Sequence, residues 1–142
     1  MPNHYQNVLI CRRTHRRDDC EFDVKEFLKK YGKANLCEML LPQPKELNDK
    51  ARPHVLTDAA YEWQKDNWGV KWGTYNTQAF ELKGDGQPVV ISFVTPWGPP
   101  RKMMPRIVKW LRESFDFGEV LWIGSDPMDD RNKVLFSTEA DE

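Results

Sequence analysis

The sequence predicts an α+β sandwich, an antiparallel or mixed sheet covered on one face by two main helices. Three observations predict it. Two segments, around Val24–Tyr31 and Met104–Leu111, repeat apolar residues at helical spacing. Short runs rich in β-branched and aromatic residues lie before, between and after them. Asp85-Gly86 between two such runs marks a hairpin. The 142 residues suit one domain, with residues 43–73 as a helix-containing insertion and residues 138–142 as a frayed acidic tail.

The elements follow in order. His4 to Arg12 reads as a strand, with Val8, Leu9, Ile10 and Cys11 apolar in succession, the pattern of a strand buried on both faces. A helix then covers Val24 to Tyr31. Asp23 is its N-cap and Glu26 completes a capping-box pattern, while Val24, Phe27, Leu28 and Tyr31 form one stripe and Gly32 ends it. Asn35 to Leu41 reads as a short second strand stopped by Pro42 and Pro44. Thr57 caps a helix running toward Trp68. Tyr75 to Lys83 and Pro88 to Thr95 are the hairpin strands. Pro99, Pro100 and Pro105 open a helix ending near Ser114, with Met104, Ile107, Val108 and Leu111 inward and Arg101, Lys102, Arg106, Lys109 and Arg112 elsewhere. Glu119 to Ile123 and Lys133 to Ser137 are the last strands.

Composition narrows the function. Hydrophobic residues are 39% and charged residues 30%, yet the 12% aromatic content includes six tryptophans, too many for a disordered chain. A net charge of −1 disfavours a globally basic nucleic-acid binder. No apolar run reaches the ~18 residues of a membrane span, so no membrane partner is expected. The start lacks an apolar export core, and Cys11, Cys20 and Cys37 form no even disulfide framework, so a cytoplasmic site with reduced thiols is expected. Cys11, His15 and Cys20 lack the second pair of a zinc shell. No Gly-rich phosphate loop, nucleophile elbow or H-E-x-x-H is present, so neither metal, cofactor nor catalytic residue is expected.

Charge is segregated. Residues 1–112 hold 19 Lys and Arg against 13 Asp and Glu, whereas residues 113–142 hold two against nine. Asp126, Asp129 and Asp130 form an acidic patch that could imitate a phosphate backbone or simply keep the chain soluble. Arg12, Arg13, Arg16 and Arg17 form a basic cluster that could grip phosphates, or is a solvated loop neutralised in part by Asp18, Asp19 and Glu21, the reading given more weight.

Two aromatic motifs stand out: Asp66-Asn67-Trp68-Gly69-Val70-Lys71-Trp72-Gly73, and Val94-Thr95-Pro96-Trp97-Gly98-Pro99-Pro100. Each sets tryptophan beside glycine or proline at the end of an element. They are read either as clasps pinning loops to the sheet or as exposed platforms for a ligand base or a partner side chain. Antiparallel pairing of the hairpin strands brings Trp97 toward Trp72. Asn67, Trp68, Lys71, Trp72 and Trp97, with Pro99 and Pro100 holding the loop, are the candidate binding residues.

These motifs, with Pro2-Asn3-His4-Tyr5-Gln6-Asn7 at the start, resemble the YubB-like family of phage and conjugative-plasmid proteins. The family's central block usually reads Asn-Trp-Gly-Thr-Lys-Trp-Asp, so Val70 and Gly73 depart from it; the ending after Gly118 also departs. The resemblance covers roughly residues 1–115 and implies a ferredoxin-like fold and a mobile-element origin, not an activity. A non-catalytic protein is expected, engaging a host protein and inhibiting a defence or nucleic-acid enzyme. The alternative is an RNA- or single-stranded-DNA-binding module that stacks bases on aromatics. The oligomeric state is left open.

Overall fold

The computed structural model describes residues 4–13, 22–52, 55–82, 88–126 and 132–138. It is a five-stranded antiparallel sheet with four α-helices on one face. The strands are β1 (His4–Arg12), β2 (Tyr75–Glu81), β3 (Val89–Pro96), β4 (Glu119–Ser125) and β5 (Asn132–Thr138), in the order β2-β3-β1-β4-β5. The helices are α1 (Val24–Tyr31), α2 (Leu36–Leu40), α3 (Asp58–Asn67) and α4 (Met104–Phe115).

Local chemistry accounts for the helices. The Asp23 carboxylate accepts from Glu26 N at 3.1 Å and starts α1. Thr57 Oγ1 accepts from Ala60 N at 3.1 Å and starts α3. Helix α4 begins with proline in its first turn and ends at Asp116 in the left-handed region, φ 60°.

Residues 35–41 are not a strand. Asn35 Oδ1 accepts from Cys37 N and Glu38 N, caps the two otherwise unpaired donors, and turns Leu36–Leu40 into α2. Leu36-Cys37-Glu38-Met39-Leu40, four apolar residues around one glutamate, suits either structure, and the cap decides. Two helices and a 3-10 turn at Lys45–Leu47 therefore connect α1 to β2.

Strand β1 lies in the middle of the sheet but is buried on one face only. Tyr5, Asn7, Leu9 and Cys11 face the helices and are buried, whereas Val8 and Ile10 are half-buried on the open face. The open face also carries exposed Phe80 and Val134. The core lies between sheet and helices. Leu9, Ile91, Phe93, Val120 and Trp122 meet Phe27, Leu36, Ile107, Val108 and Leu111 there. Phe22, Phe27, Tyr31, Trp110, Phe115 and Phe117 close one end with rings mostly 5–6 Å apart.

The hairpin strands pair as expected, from Tyr75↔Val94 to Glu81↔Val89 with a bulge between Tyr75 and Gln78. The turn itself, residues 83–87, lies outside the described residues, as do the acidic tail from residue 139 and the arginines at 16 and 17. No helix among the described residues is long and apolar enough to cross a membrane.

Candidate functional site

The two aromatic motifs come to the end of the sheet where β3 leaves and β2 enters, but their three tryptophans have different fates. Trp68 is 1% exposed, its Nε1 donates to the Leu41 carbonyl at 2.9 Å, and its ring meets Trp63 edge-on. It belongs to the core and offers no surface to a partner, contrary to its place among the candidate binding residues. One helical turn after Gln64, the end of α3 points it inward. Asn67 is half-buried and its amide donates back to Trp63 O within α3. Pro99 and Pro100 are buried; the Pro100 carbonyl accepts from Met103 N and Met104 N and opens α4.

Trp72 and Trp97 are 46% and 56% exposed. Both also have left-handed backbones, φ 65° and 70°, among only four non-glycine residues with positive φ in the described chain. A bulky residue in that region costs about 1–2 kcal/mol unless its surroundings hold it there.

The surroundings do hold them. Around Trp97, Gly98 N donates to Pro96 O at 2.8 Å, a three-residue turn with Trp97 at its apex. Thr95 Oγ1 donates to the Gly98 carbonyl and accepts from Asn7 Nδ2 at 2.9 Å. Asn7 Oδ1 in turn accepts from Trp122 Nε1 at 3.1 Å. Asn7, Thr95 and Trp122 are all fully buried, so a polar chain runs from the core to the Trp97 turn. Around Trp72, the backbone N–H donates to Gln64 Oε1 and the carbonyl accepts from Asn35 Nδ2, both at 2.8 Å. Gln64 is itself fixed by Gln43, and Gly73 beside it leaves room for the Asn35 amide that a Cβ would strike.

Trp97 stands over a cleft of about 520 Å³. Tyr5, Tyr61 and Trp97 supply its aromatic surfaces; Lys65, Lys71, Arg101 and Lys133 supply positive charge; among the described residues Asp126 is the single carboxylate in its lining. Among the described residues Lys65, Lys71 and Arg101 form no ion pair. Lys71 Nζ lies 4.4 Å from the centre of the Trp72 ring. Trp72 itself lines a separate hollow of about 300 Å³ with Asn35, Gln43, Asn48 and Gln64. Lys71 thus links the two tryptophans, which do not share one cavity.

Tyr5 lies beneath the cleft. Burial pushes its phenol above the ordinary value, Asp126 pushes the same way, and Arg101 opposes them. Gly124 makes room for it, since a Cβ there would overlap the Tyr5 hydroxyl. The acidic patch is not seen as one: Asp126 lies among the cations of the cleft, while Asp129 and Asp130 fall outside the described residues.

Sequence reasoning missed Tyr5, Tyr61, Lys65, Arg101 and Lys133, which reach the cleft from four separate parts of the chain. One signal was in view: from Trp97 to Arg112 the chain has five cations and no carboxylate. Among the described residues no three His, Cys, Asp or Glu side chains converge as metal ligands. Cys11 and Cys37 are free and buried, and burial pushes both thiols up to about 12. Comparison with protein-family models, curated proteins and solved structures finds no match.

Proposed function

We propose that this chain is a non-catalytic binding module for single-stranded nucleic acid, with the Trp97 cleft as its site. The observation that carries the reading is the pairing of a clamped, exposed tryptophan with four cations around one cleft. A base stacks on an aromatic face with little regard to sequence, and the cations hold its phosphates. The local charge overrides the net charge of −1 because exposed charges beyond about a Debye length of ~10 Å are screened.

The fold reading is ferredoxin-like. Setting aside α2, α3 and β5, the chain runs β-α-β-β-α-β, and β4-β1-β3-β2 lie antiparallel in that order, which supports it. The YubB-like resemblance and its mobile-element origin belong to the same reading. So does a place in a host cell's cytoplasm.

Titration of a fluorescent single-stranded oligonucleotide tests the function. Trp97→Ala is expected to lose about 1–3 kcal/mol, roughly 5- to 150-fold in Kd. An unchanged Kd, or no binding by the unmodified protein, sinks the reading.

A second reading has its own support. Trp72, exposed above an amide-lined hollow with Lys71 stacked on it, has the make-up of a protein interface centre. A host protein, including a defence enzyme, would then be the partner. Trp72→Ala abolishing binding to such a purified protein, with oligonucleotide binding untouched, would select it.

A further inference from the structure

The cleft has a volume of about 520 Å³, and the positive charge does not stop at its rim. Arg101 lines the cleft and is exposed. Lys102 follows it, also exposed, and α4 starts two residues later. Met104, Ile107, Val108 and Leu111 turn one side of α4 into the core, which leaves Arg106 and Lys109 exposed on the other. Lys102 stands in the turn that opens α4, and Arg106 and Lys109 follow on the helix three residues, about one ~5.4 Å turn, apart.

This arrangement works against the helix that carries it. Helix N-termini favour acidic side chains, because the unpaired N–H groups there are positive. The first turn of α4 has no acidic residue and no side-chain cap, while cations stand at and before it. The first carboxylate along the ridge is Glu113, 4.0 Å from Lys109 and exposed with it. Local stability does not explain the choice of residues, whereas a long anion does.

We infer that Lys102 in the opening turn, with Arg106 and Lys109 on the outer side of α4, is a track for the sugar-phosphate backbone of a single strand leaving the Trp97 cleft. The inference rests on the nucleic-acid reading of that cleft and extends it. The strand stacks a base on Trp97, passes Arg101, and lays successive phosphates along the ridge. Long strands then bind more tightly than short ones, and with a steeper salt dependence.

The test compares tetrathymidylate with a twenty-nucleotide thymidylate by fluorescence anisotropy at several salt concentrations. The unmodified protein is set beside the double variants Lys102→Glu/Arg106→Glu and Lys102→Gln/Arg106→Gln. Both positions are exposed, and the milder pair covers a failure of the charge reversal to fold. With the track in place, either variant weakens the long strand at least fivefold. It also flattens the slope of log K against log salt by about 1.4, or ~0.7 for each phosphate no longer neutralised. Both variants bind the tetranucleotide within twofold of the unmodified protein.

An unchanged affinity and slope for the long strand, with the tetranucleotide still bound, overturns the track and spares the cleft. Failure of the unmodified protein to bind either strand overturns both. Binding to anionic phosphatidylserine vesicles but not to oligonucleotides overturns the track in favour of a membrane surface.

Discussion

Thr95→Val removes one hydroxyl from the centre of the polar chain that holds Trp97, with almost no change in shape. Thr95 is fully buried, and its Oγ1 serves two partners, the Gly98 carbonyl and Asn7 Nδ2. Gly98 is half-exposed, so water replaces its lost donor. The Asn7 amide is not so placed. Its remaining acceptors, Phe93 O and Tyr5 O, lie at 3.3 and 3.4 Å. One buried donor is left badly paired and one turn loses its tie, a cost of about 2 kcal/mol. For a chain of this size that lowers Tm by roughly 6–8 °C.

The functional consequence is separate from the stability loss. Without its tie the Trp97 turn relaxes from the left-handed region, and the ring no longer waits above the cleft. Oligonucleotide affinity should fall at least threefold at 15 °C, where the variant is still folded. Thr95→Ser, which restores the hydroxyl, should recover most of it. Circular dichroism melts and anisotropy titrations give both readouts. A variant that melts early but binds with unchanged Kd would refute the argument that the buried chain presents Trp97.

Three further outcomes test the remaining structure. Trp68→Ala should cost about 3–5 kcal/mol by thermal or urea unfolding, as large core truncations do, whereas Trp72→Ala and Trp97→Ala should shift Tm by only a few degrees. Trp97→Gly should melt above Trp97→Ala, because glycine removes the ~1–2 kcal/mol strain of the left-handed backbone; the reverse order would show that the turn relaxes without it. Folding should weaken as pH rises from about 9 toward 12. The buried Cys11 and Cys37 thiols keep protons there that the unfolded chain has released. Urea midpoints should be flat from pH 7 to 8 and fall above 9, less steeply in Cys11→Ala and Cys37→Ala.

Much of the architecture was legible because its signals are local. The stripe Val24, Phe27, Leu28 and Tyr31, closed by Asp23, sets α1 within its observed bounds. The apolar stripe of α4 and the strand-like runs on either side of Asp85-Gly86 mark a helix and a strand pair in the same way. Residues 35–41 depart from the strand that their pattern predicts, because a short, mostly apolar segment fits strand and helix alike. The pattern Asn35-x-x-Glu38 was the signal that could have separated them.

The site divides along the same line. Sequence by itself determined an α+β chain with two amphipathic helices, a hairpin and two tryptophan motifs at its mouth, since periodicity, caps and turn residues act within a few positions. It could not sort Trp68 from Trp72 and Trp97, which all sit beside glycine. Burial depends on where α3 ends over the sheet, and exposure on turns clamped by Gln64, Asn35 and Thr95 from other elements. Nor could it assemble the cleft, because Tyr5, Lys65, Arg101 and Lys133 meet only after β1, α3, β5 and the turn before α4 are packed together. Local chemistry writes the elements; the positions of charges and rings relative to one another are long-range contacts, and those exist only in the folded molecule.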